Sequence, residues 1–212
     1  MTFARLLQIV GDEPVFETGL LMAGPRLDPG LFGQLARWRS AGRIIQLRRG
    51  LYALAPPYRK TIPHPFLVAN RLSPGSYVSG LSALAFAGAI PEFVPEVTSC
   101  GPGRPQLQTT TLGRYSFRHL KPGMRHGYRL LELVGEQEAF VATPEKAFLD
   151  LAYLQPGGDD RAWIDGLRLN VDALCGESLE SMAAATRSPK LMRAARCVRS
   201  LENDSELVFE TV

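Results

Sequence analysis

Acidic side chains are missing from a long part of this chain. Between Pro29 and Pro91 there is no Asp or Glu, while eight Arg or Lys fall in the same stretch. That excludes an ordinary mixed-sign surface there and favours a polyanionic partner. Cysteine is scarce, with only Cys100, Cys175 and Cys197, odd in number and far apart. This spacing supports neither a disulfide framework nor a zinc site, and it fits a reducing cytoplasm. His119 and His126 flank Lys121-Pro122-Gly123 with no neighbouring carboxylate or cysteine, so no metal centre is expected. No long uncharged apolar run is present, which argues against a membrane-spanning helix. Met1 to Val10 has too little apolar length for a secretory signal, and a cytoplasmic protein is expected.

What is there is unevenly charged. Residues 1–60 hold nine basic and four acidic side chains, residues 61–143 seven and five, and residues 144–212 eight and twelve. A basic front and an acidic back predict two modules with different partners. At 212 residues the chain is long enough for two cores. The boundary is expected near Pro56-Pro57, giving a module over residues 1–58 and a second over 59–212.

The local pattern predicts an α+β protein. Phe3, Leu6, Leu7 and Val10 share one face of a first helix, and Val15 to Met22 reads as a second. Asp28-Pro29 predicts an N-cap followed by proline at the first helical position, with that helix running to about Ser40 and Gly42 just beyond it. Leu31, Leu35 and Trp38 form its apolar stripe. Arg43 to Leu54 predicts a hairpin with Arg48-Arg49-Gly50 at its tip. Further helices are expected over Thr61–Arg71 and Ser79–Gly88. Strands are expected from Glu96 to Leu120, over Tyr128–Leu133 and over Ala139–Ala142. Thr143-Pro144-Glu145 starts another helix, and the remainder is a helical tail with a strand or frayed end from Leu207.

A helix followed by a basic-tipped hairpin is the layout of a winged helix-turn-helix that grips double-stranded DNA. Gln34 and Arg37 lie off the apolar stripe beside Gly30 and Gly33, positioned for base edges in a major groove. Arg39, Arg43, Arg48, Arg49, Arg59 and Lys60 complete the expected DNA-binding set, most of them suited to phosphates. Arg118, Lys121 and Arg125 form a second basic cluster, which either extends that surface or is a solvated loop.

Five stretches carry a resemblance. They are Ala41–Tyr52, Ala69-Asn70-Arg71-Leu72, Tyr77–Leu84, Gly88-Ala89-Ile90-Pro91-Glu92 and Pro144–Leu151. In this order they resemble the AbiEi-like antitoxins of bacterial type IV toxin–antitoxin systems, over roughly Arg5 to Tyr153. The resemblance implies a winged-helix domain that represses its own operon at an operator of inverted repeats. It also implies a C-terminal domain that counteracts a nucleotidyltransferase-like toxin, without requiring the two proteins to touch. The tail after Tyr153 is shorter than in longer members.

No catalytic residue and no cofactor are expected. Gly80-Leu81-Ser82-Ala83-Leu84 lacks the second glycine of a nucleophile elbow. Glu145 reads as a first-turn residue, and Lys146 with Asp150 as an i, i+4 pair, rather than as an acid–base site. Two rival readings are a nucleic-acid-processing enzyme with a winged-helix head, and a module that holds a toxin through its acidic tail.

Overall fold

The first helix, α1 (Phe3–Val10), is started by Thr2, whose hydroxyl accepts a hydrogen bond from the Arg5 amide at 3.2 Å. Leu6 and Val10, one turn apart, are buried by it. In the computed structural model, which describes residues 1–22 and 29–209, α1 precedes β1 (Phe16–Glu17), α2 (Thr18–Met22), α3 (Leu31–Ser40), β2 (Ile44–Arg48) and β3 (Leu51–Leu54). The three strands form an antiparallel sheet of order β1-β3-β2.

Two expectations are corrected in this region. Val15 to Met22 is not one helix, because Phe16 and Glu17 pair with Tyr52 and Leu51 of β3. A partner strand overrides local preference in so short a segment. The helix expected from Pro29 begins at Leu31 after Gly30, and Asp28 lies outside the described residues. Its end and its buried stripe of Leu31, Leu35 and Trp38 are as predicted.

The β2–β3 hairpin turns at Arg49-Gly50, with Gly50 at φ +82°, a conformation that favours glycine. Arg48 therefore belongs to the strand and not to the tip. Side chains alternate along β3 between two cores. Tyr52 and Leu54 join Leu6, Phe16, Leu35, Trp38 and Ile44 in a small core under α1 and α3. Leu51 and Ala53, with Val15 and Leu47, enter the large core of the rest of the chain. The first 58 residues thus form their own core and also pack against the larger part of the chain.

That larger part holds a six-stranded mixed sheet. Its elements are α4 (Pro65–Leu72), β4 (Tyr77–Val78), α5 (Gly80–Phe86), β5 (Glu96–Gly101), β6 (Gln106–Thr110), β7 (Gly113–His119), β8 (Tyr128–Leu133), β9 (Gln137–Ala142) and α6 (Pro144–Leu154). The strand order is β6-β7-β5-β4-β9-β8. β4 runs parallel to β9 and β5 parallel to β7, while the other pairs are antiparallel. α4 starts four residues later than predicted, because Pro65 disfavours a helical conformation at His64. The imidazole of His64 instead caps the helix, accepting from the Phe66 amide at 3.1 Å.

Three more helices complete the chain: α7 (Arg161–Gly166), α8 (Gly176–Ala185) and α9 (Pro189–Phe209). α8 and α9 pack on α6, and α7 packs on α9. α9 continues through Leu207 to Phe209, in place of the expected strand or frayed end; residues 210–212 lie outside the described residues. Among the described residues the chain is a mixed α+β structure with nine α-helices and two sheets. No helix among them is long and apolar enough to cross a membrane.

Leu35 is 1% exposed at the centre of the small core. Leu35→Ala is expected to lower stability by about 2–5 kcal/mol through lost burial and a residual cavity. Urea unfolding of the full chain measures this directly.

Candidate functional site

The residues expected to meet DNA have different surroundings in the structure. On α3, Phe32, Gly33, Ala36, Arg37 and Ser40 form an exposed face opposite the buried stripe, and Gln34 is half-buried beside it. Phe32 is 66% exposed. This outward aromatic was not among the expected contacts, although its place off the stripe is a signal that could have found it. Arg49 is exposed at the hairpin turn. Among the described residues, the side chains of Arg37, Arg49 and Arg59 make no hydrogen bond or ion pair.

The other basic residues are engaged. Arg39 donates to the Gln46 side chain on β2. The Arg43 guanidinium sits over the Phe3 ring, 5.0 Å from its centroid. Lys60 pairs with Asp12 at 2.8 Å. Arg48 is turned across the sheet. Its guanidinium donates twice to the Arg71 carbonyl, at 3.2 and 3.1 Å, and reaches Glu17 at 3.2 Å. Arg71 lies in the last turn of α4, so Arg48 places a cation on a helix C-terminus and links the hairpin to the larger part. This contact, rather than a place at the hairpin tip, is where the structure puts Arg48.

The second basic cluster surrounds a single 3-10 turn, Pro122–Met124. Lys121 precedes the turn and Arg125 comes after it, and Arg118 lies near the end of β7 opposite Cys100. His119 Nδ1 is 3.0 Å from the Pro102 carbonyl, a contact that needs the proton on Nδ1.

That turn roofs a buried polar network that sequence spacing showed only in part. Lys146 and Asp150, 2% and 0% exposed, form an ion pair on α6 inside the large core. Asp150 also accepts from the Tyr77 hydroxyl at 2.9 Å and the Ser79 hydroxyl at 2.8 Å, in β4 and just after it. Lys146 donates to the Met124 carbonyl in the 3-10 turn. Gly127 makes room for it: a Cβ there would lie 3.2 Å from Lys146 Cβ and Cγ, and its φ is +79°. The i, i+4 spacing showed the pair. Its burial and its further partners depend on contacts from 22 to 73 residues away.

Burial pushes the Asp150 carboxyl above its ordinary value, while the Lys146 ammonium and the two hydroxyl donors pull it back. Burial and the nearby Asp150 raise both the Tyr77 phenol and the Cys100 thiol. A thiol held in its neutral form is a poor nucleophile. Ser82 donates to the Glu96 carbonyl and accepts from the Thr98 amide, each at 2.9 Å, so its hydroxyl is occupied in joining α5 to β5. Glu145 accepts from the Cys175 amide at 2.8 Å and fastens α6 to the start of α8.

Three carboxylates of the acidic tail are answered from within it. Asp159 meets Arg193 at 2.7 Å, Asp165 meets Arg161 at 2.8 Å and Glu202 meets Arg199 at 3.1 Å. The Arg193 hydrogen bond holds Asp159 below the usual carboxylate range. No family model matches this chain, and no curated protein matches it either.

Lys146→Met would leave an unpaired carboxylate in the interior, and is expected to cost about 3–5 kcal/mol. Adding Asp150→Asn removes that charge and should recover part of the loss, which a double-mutant cycle in denaturant resolves.

The raised phenols and thiol also predict alkaline lability. The native state keeps these protons where the unfolded chain releases them, so their contribution is complete below the ordinary thiol value of 9.0. It declines as pH rises further, and Tyr115, pushed up to about 12, extends the fall beyond pH 10.0. Unfolding midpoints should therefore stay level up to about pH 9 and drop continuously above it.

Proposed function

We propose that this chain is a winged-helix transcriptional regulator that binds double-stranded operator DNA, represses its own operon and serves as the antitoxin of a type IV pair similar to the AbiEi-like proteins. The observation that carries this reading is the arrangement of the first 58 residues. The order α1-β1-α2-α3-β2-β3, with sheet order β1-β3-β2, sets a surface helix directly before a two-residue basic hairpin turn. Neither α3 nor the hairpin has an acidic residue to repel phosphates.

In this reading α3 enters the major groove. Its small residues Gly33 and Ala36 allow close approach, Arg37 donates to guanine, and Phe32 meets thymine methyl groups. Arg49 and Arg59, whose side chains have no internal partner among the described residues, hold phosphates. Arg39, Arg43 and Lys60 are held by their own partners and add positive potential at the edge of the surface. Gln34, half-buried, orients the helix near the bases. The cognate toxin is a nucleotidyltransferase-like protein whose effect this chain counteracts in the cytoplasm, with no cofactor and no catalytic step.

The test is fluorescence anisotropy on a duplex from upstream of the gene and on a scrambled duplex, over a series of salt concentrations. Arg37→Ala is expected to cost about 1–3 kcal/mol on the upstream duplex and to relax base preference. Arg49→Ala should weaken both duplexes alike and reduce the salt slope by about 1. Equal loss on both duplexes for Arg37→Ala would make that residue a phosphate contact. Unchanged affinity for both variants would remove the DNA reading altogether.

A further inference from the structure

One cleft carries more acidic than basic side chains on its walls. This cleft, of about 1560 Å³, lies between the Val10–Glu17 segment of the first unit and the β8–β9 hairpin. On one face of that hairpin Leu130 stands opposite Phe140, and they are 48% and 44% exposed. Two residues along, on the same face, Glu138 of the cleft wall stands directly opposite Glu132, which is outside the lining itself. Like charges facing each other across a strand pair destabilise a sheet. Both are exposed, and neither has an ion pair among the described residues.

Glu13 and Glu136 on the cleft walls are likewise without an ion pair among the described residues. The basic residues of the lining do little to offset this. Lys60 is already paired with Asp12, which leaves Arg71 as the other cation of the wall. The cleft therefore combines an open apolar pair with excess negative charge.

We propose that this cleft docks an extended segment of a partner protein in which Lys or Arg flank an apolar side chain. The apolar side chain covers Leu130 and Phe140. A cationic group sits between Glu132 and Glu138 and turns their repulsion into two attractive contacts. Nucleic acid is the wrong occupant, because its phosphates would meet the same carboxylates. None of these four residues belongs to the surface assigned to DNA, so the two readings fail independently.

The test uses the full chain and three labelled heptapeptides followed by anisotropy: one alternating lysine and leucine, one alternating glutamate and leucine, and one of lysine alone. The lysine–leucine peptide is expected to bind best. Its affinity should fall by about tenfold or more on Glu138→Lys and on Leu130→Ser. Glu138→Lys should at the same time raise the unfolding midpoint, because it replaces a repulsive cross-strand pair with an attractive one. Stability and binding moving in opposite directions is a result that simple structural damage does not produce. The proposal is overturned if the lysine–leucine peptide does not bind, if lysine alone binds as well, or if Glu138→Lys leaves its affinity unchanged.

Discussion

A charged pair sealed in a dry interior has to be satisfied completely or it unfolds its surroundings. Lys146 and Asp150 impose that requirement on the larger part of this chain. Asp150 needs the Tyr77 and Ser79 hydroxyls, which sets the end of β4 against α6. Lys146 needs the Met124 carbonyl, which fixes the 3-10 turn and the basic residues around it. The missing side chain at Gly127 leaves Lys146 its path to that carbonyl. One ion pair thus ties together the central strand, the helix behind it and the loop above it.

A few contacts likewise join the two parts of the chain. β3 is only four residues long, yet it gives alternate side chains to two cores. Arg48 adds a polar link by capping α4. The surface proposed to meet DNA is therefore attached to the body through a buried strand rather than a flexible linker.

Much of the fold was readable from residue order. Helices α1, α5 and α6, the β2–β3 hairpin and strand β8 are set by periodicity, capping residues and turn glycines, all of which act over a few positions. What escaped was short or dependent on distant partners. β1 and β4 have two residues each, too few for a period to appear, and both are strands only because a neighbour pairs with them. In the candidate site, the basic character of α3 and the hairpin was legible. The separation of Arg37 and Arg49 from Arg39, Arg43, Arg48 and Lys60 was not, because it depends on which partner each long side chain finds.

The sequence by itself determined the local units: where most helices begin and end, which faces are apolar, and which stretch of chain repels no phosphate. These depend on steric and hydrogen-bonding preferences between residues close in the chain, so they are present before folding. Only the tertiary structure decided that Lys146 and Asp150 are buried, that Arg48 reaches the end of α4, and that Glu132 opposes Glu138 across a strand pair. Each of those depends on the solvent exposure and neighbours that a side chain meets after strands far apart in sequence have paired.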